Sequence, residues 1–287
     1  MTALDDRPWR VERRAADAPA DAPWEEVTGA ATGPEEARAE ALLPASPVRA
    51  WDLLRLSRAG APGAWVVREH WFVGDGGDGA PLPRLASLPG LGPSAARALA
   101  RWGDAWPDFW GEAGEGTLLL EVLAAVGLDP RALTGAAAAV VRGVAPLLPA
   151  RNHAAKAALH AAEAWVAGAA TGEALAAVAA DLAPQHTQPL GGALSRLVQN
   201  PQDPRGNACR AASRAIFELS LQRAEPAARA AAAARAWEAV AKYPAGGALA
   251  DPDPWLLAYE AADREHAALV RARIPRVAVW LAATAAG

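Results

Sequence analysis

Alanine supplies more than a quarter of this 287-residue chain, and that bias narrows the folds open to it more than any single motif does. Alanine has the highest helix propensity of any residue, yet its methyl group buries little apolar surface. Helices built from it can lie close together, but Leu, Val and Trp must supply most of the hydrophobic stabilisation. Twelve tryptophans are available for that work. A buried indole removes a large apolar area from water, so these residues read first as core anchors. Hydrophobic residues at 52% against charged residues at 21% suit a packed chain and not a disordered one. The fold expected is mainly α: a multi-helix, Ala- and Trp-rich bundle.

Punctuation along the chain places the helices. Stretches 34–43, 47–56, 82–88, 93–102, 116–126, 130–145, 151–169, 172–183, 190–199, 206–222, 225–242, 253–270 and 272–284 read as helical. Gly103, Gly127 and Gly168 follow helical runs as stop signals, and Pro93, Pro130 and Pro226 sit near helix starts. The one clear β signal lies near 64–73, where Trp65–Val67 and Trp71–Val73 are flanked by glycines and predict a small hairpin. Residues 1–33 show no sustained period and read as a flexible N-terminal arm. A helical region 34–150 follows, then a C-terminal helical bundle 151–287 that is either separate or continuous with it. The polar break QNPQDPRGN at 199–207 is a second place where the chain divides, or a loop inside one bundle.

One segment carries a legible motif. Residues 85–101 read LASLPGLGPSAARALAR. Leu85, Leu88, Leu91 and Leu99 are spaced to form a small core between two short helices, and Ala96 lets them approach. Gly90 and Gly92 permit a tight bend, and Pro93 suits the first turn of a helix. This pattern resembles the helix-hairpin-helix motif of non-sequence-specific DNA-binding proteins. The resemblance covers these residues only. It implies contact with duplex DNA phosphates through Gly90, Leu91, Gly92, Ser94, Arg97 and Arg101, without base readout. Asp104, Asp108 and Glu112 offset the local arginines. A second copy of the motif, AAVGLDPRAL at 124–133, has Asp129 where a glycine is required, and that carboxylate reads as a helix N-cap.

Other constellations carry less. His160 and Glu163 share one helix face and are a weak metal or acid–base pair, with Glu260, Asp263 and His266 as conceivable partners. His153 stands about 10 Å further along the axis, too far to share a metal with His160. GDGGDG at 74–79 lacks the spacing of a calcium loop. No phosphate loop, nucleophile elbow, zinc-protease signature or dinucleotide fingerprint occurs in the chain. The reading is therefore a non-catalytic protein with no cofactor and no bound metal. A net charge of −4 exerts no global pull on nucleic acid or on an anionic membrane. One cysteine, no membrane-spanning run and no basic-then-apolar leader point to a cytoplasmic protein, and the excess of alanine and of arginine over lysine resembles the products of a GC-rich bacterial genome. The partner expected is duplex DNA. The alternative is a helical protein-interaction module, immunity-like or scaffolding, built on the Ala-rich stretch 153–180 with a protein partner.

Overall fold

The computed structural model describes residues 9–18, 22–27, 31, 34, 37, 41–42, 52–59, 65–73, 79–103, 105–186, 203–242 and 253–286. The chain is mainly α with a small antiparallel sheet, as the alanine bias requires. It divides into two compact units. One comprises Met1–Glu112, Ala125–Leu128 and Pro275–Gly287, and the other Ala113–Ala124 with Asp129–Ile274. The grouping differs from the 34–150 and 151–287 regions read from the sequence: 113–124 and 129–150 group with the later helices, and the last helix groups with the N-terminal residues.

The first unit is built on five strands: β1 (Trp9–Ala15), β2 (Glu25–Glu26), β3 (Asp52–Ala59), β4 (Trp65–Val73) and β5 (Gly79–Pro81). All pair antiparallel in the order β2-β1-β3-β4-β5, with a register shift between Leu56 and Ser57. Two expectations are corrected here. Residues 9–15 and 25–26 are strands and not a free arm, and 52–56 belong to a strand and not a helix. The physical cause is pairing. Val11 opposes Leu56 and Arg13 opposes Leu54, so a segment dense in arginine gains an apolar face only when β3 lies beside it. Its charges are neutralised across the same ladder. Glu12 takes Arg55 Nε at 2.6 Å and Nη2 at 2.9 Å, and Arg13 bridges Asp52 and Glu25. Residues 47–51 lie outside the described set, as do all but Pro34, Ala37, Ala41 and Leu42 of the helix expected over 34–43. Pro34, Ala37 and Ala41 are in helical conformation, and Ala37 and Ala41 pack with Val11, Leu54, Leu56 and Val73.

Helices complete this unit: α1 (Pro93–Leu99), α2 (Trp106–Glu112) and, from the far end of the chain, α10 (Arg276–Ala286). Trp106, Trp110 and Trp280 are fully buried, and the Trp106 and Trp280 rings meet edge to face at 6.0 Å. Trp280 Nε1 donates to Ala16 O and Arg276 to Ala18 O, which ties α10 to the end of β1.

Among the described residues the second unit is helical: α3 (Gly116–Ala125), α4 (Pro130–Arg142), α5 (His153–Val166), α6 (Gly172–His186), α7 (Pro204–Ser220), α8 (Ala224–Lys242) and α9 (Pro254–Arg273). The cap read at Asp129 and the stops read at Gly127 and Gly168 form, and Asn152, Asp203 and Asp253 add three caps that the sequence reading did not name. Asp129, Asn152, Asp203 and Asp253 each accept a backbone N–H at a helix start. Gly127 and Gly168 take φ +75° where α3 and α5 stop. Helices α7 and α8 make the most extensive pairing, and the face of α8 in contact is almost wholly alanine. Small side chains there let two backbones approach. The helix expected over 190–199 lies outside the described residues. No described helix is long and apolar enough to cross a membrane.

Candidate nucleic-acid interface

The bend at 88–93 owes its shape to two prolines and two glycines. Leu88 precedes Pro89, which disfavours α conformation and holds Leu88 extended at ψ 135°. The helix expected over 82–88 is therefore a single 3-10 turn, Leu85–Ser87, closed by Ser87 N–H on Arg84 O. Gly90 then turns the chain at φ +82°, a conformation costly for any side-chain-bearing residue. Gly92 is the N-cap of α1 in extended conformation, and Pro93 follows at the first helical position. From below, Trp106 Nε1 donates to Pro83 O at 2.6 Å and fixes the segment to α2.

The expected small core forms in part. Leu85, Leu88 and Leu99 are buried, whereas Leu91 is only half-buried. The fully buried small residue of α1 is Ala95; Ala96 is half-buried. Relative to a full helix-hairpin-helix, the first helix is reduced to one turn and the second to seven residues.

The bend itself faces outward. Pro89, Gly90, Ser94, Arg97 and Arg101 are exposed, and Leu91 and Gly92 are half-buried. No heavy atom lies within 4 Å of where a Gly90 Cβ would stand. Arg84 is exposed on the same segment, and Arg101 lies over the Trp102 ring at 5.4 Å. Arg97 has no hydrogen-bond or ion-pair partner among the described residues. Asp108 and Glu112 are exposed on α2; Asp104 lies outside the described residues. In the degenerate second copy, Asp129 accepts Arg131 N–H at 2.8 Å and serves as a cap, which removes it from any phosphate role.

The remaining candidates do not assemble. His160 is exposed, and Glu163 accepts from Arg142 Nε at 3.0 Å and Nη2 at 2.7 Å. Among the described residues no three His, Cys, Asp or Glu side chains are placed to hold a metal ion. Asp263 is buried and accepts Thr117 N–H at 3.0 Å and Oγ1–H at 2.8 Å, and burial pushes its pKa up. His266 is also buried, with Nδ1 unpartnered; burial, then the Arg235 charge, lowers its pKa to about 4.

Sequence reading missed a serine–histidine contact, His186 Nε2 to Ser213 Oγ at 3.1 Å. No spacing rule could have found it, because α6 and α7 bring it together. The His186 ring stacks on Phe217 at 4.9 Å, and burial followed by Arg214 lowers its pKa to about 4. The ring thus joins α6 to α7 through Phe217 and Ser213. A cleft of about 730 Å³ beside β1 sets Arg13 and Arg14 against Asp17, Glu25 and Asp52. Arg13 is already engaged there, bridging Glu25 and Asp52. No family model, curated protein or solved structure matches the chain.

Proposed function

We propose that this protein binds duplex DNA without catalysis and without sequence preference, through the exposed bend at 88–93 and the arginines beside it. The observation that carries this reading is the open bend ringed by Arg84, Arg97 and Arg101, with Arg97 unpaired. An unpaired guanidinium keeps its full donor set for a phosphate. A glycine corner with no neighbouring side chain lets a sugar–phosphate strand approach the backbone closely. Contacts of this kind fix register on a duplex and carry no sequence information.

The test is a fluorescence anisotropy titration on a short mixed-sequence duplex across a range of salt. Three phosphate contacts predict a slope of log affinity against log salt of about −3. Two variants probe the surface without endangering the fold. Gly92→Asp places a favourable N-cap residue at an extended position, so it preserves α1 while setting a negative charge where a phosphate belongs. Arg97→Glu reverses the exposed unpaired cation. Each is expected to weaken binding at least about tenfold. Equal binding by wild type and both variants, or no binding by wild type at about 50 mM salt, refutes the reading.

A further inference from the structure

A second cationic surface lies in the helical unit, on elements that the DNA reading does not use. Along one face of α4 run Arg131, Gly135, Ala138 and Arg142, spaced at helical intervals. Beside them lie Glu163 and Val166 of α5, and Arg273 at the end of α9 completes the rim. Together they enclose a half-open groove of about 340 Å³. Its floor is apolar and shallow, because the helices nearly touch. A Cβ added to Gly135 would stand 3.1 Å from Val166 Cγ1.

Three arginines share this groove with one carboxylate. Glu163 is already satisfied by Arg142. Arg131 lies over the Trp165 ring at 5.5 Å and has no acidic partner among the described residues. Arg273 is exposed and likewise has none. Two positive charges therefore remain uncompensated around an apolar floor. Arg131 and Arg142 are eleven positions apart in the sequence, which corresponds to about 16 Å along a helix. About five residues of extended chain, at roughly 3.3 Å each, cover that distance.

We infer that this groove docks an extended acidic peptide segment of a partner protein. Carboxylates of the segment meet Arg131 and Arg273, which line the groove without an acidic partner, and an apolar side chain sits on Gly135 and Ala139. A nucleic-acid strand fits less well. It brings a phosphate at every step, and Glu163 stands inside the groove with an apolar floor beside it. A single small anion uses one end and leaves the floor open.

The probe is a short labelled peptide with paired glutamates at both ends and a leucine-valine-leucine centre, titrated into the full chain by fluorescence anisotropy. Saturable binding is expected. The double variant Arg131→Glu, Arg273→Glu is expected to weaken it at least about tenfold. Both positions are exposed, and circular dichroism confirms that the fold is kept. Arg97→Glu, which tests the DNA surface, is expected to leave peptide binding unchanged, so the two readings fail separately. The proposal is overturned by absence of saturation, by equal binding to the double variant, by equal binding of a peptide with lysines for glutamates, or by displacement of the peptide with duplex DNA.

Discussion

Replacing Gly116 with alanine drives a methyl group into backbone within the helical unit. Gly116 opens α3 against α9, and an added Cβ would stand 2.6 Å from His266 Cβ and 2.7 Å from both Ala267 N and His266 C. Carbon atoms pack at about 3.5–4.0 Å, so the two helices must separate by roughly 1 Å. Two of the three contacts are backbone, which no rotamer change can relieve. The helices are also pinned at this point, because Asp263 on α9 holds Thr117 N–H and Oγ1–H on α3. Overpacking costs about 1–3 kcal/mol, and losing one hydrogen bond to a buried carboxylate costs about 1.5–3 kcal/mol. Alanine's better helix propensity returns up to about 1 kcal/mol. The net expectation is a loss of about 3 kcal/mol, a fall in Tm of roughly 6–12 °C for a domain of this size. Thermal unfolding followed by far-UV circular dichroism measures it. Gly114→Ala is the control: its Cβ meets only flexible carbons of Arg264, the nearest at 3.3 Å, and should cost within about 0.5 kcal/mol. If Gly116→Ala is as stable as this control, the close approach of α3 to α9 is refuted.

Two further outcomes follow from buried charge. Glu12→Ala leaves Arg55 and Arg10 without their shared carboxylate in the sheet, and a urea titration should show a loss of about 3 kcal/mol; a change under about 1 kcal/mol contradicts that role. His266 has a folded pKa near 4 against an ordinary value of 6.5, so the folded form binds protons less readily than the unfolded chain. Its contribution is complete above pH 6.5 and is lost as pH falls from there toward 4. Asp263 and Glu225, whose pKa values are raised, act in the opposite sense. The difference between wild type and His266→Gln isolates the histidine: the variant should lose stability less steeply over that interval, and parallel curves would count against the assignment.

What could be read from the residues, and what could not, divides along range of interaction. Helix ends depend on a few neighbouring atoms, so Asp129 announced a cap that the structure realises two residues further on. Strand β3, DLLRLSRA, gave no such notice. Leucine and arginine are helix formers, and a strand buried on both faces shows little polar–apolar alternation. Only the ladders with β1 and β4 decide its conformation, and they join it to residues well separated in sequence. Helix α2, WPDFWGE, was missed because seven residues with an internal proline offer no period to detect. The bend at 88–93 was legible because glycine and proline act locally. The groove on α4 was not, since Arg131 and Arg273 become neighbours only when helices distant in sequence pack.

Helix α10 has a consequence for how the chain is made. The N-terminal unit encloses Trp106 beside Trp280, and Ala16 receives its indole bond from the same residue. A ribosome delivers the sheet well before that indole, with the helical unit emerging between them. Until α10 emerges, the early strands wait with one wall of their interior missing. Maturation of the sheet is thereby timed by a helix that follows the whole helical unit in sequence.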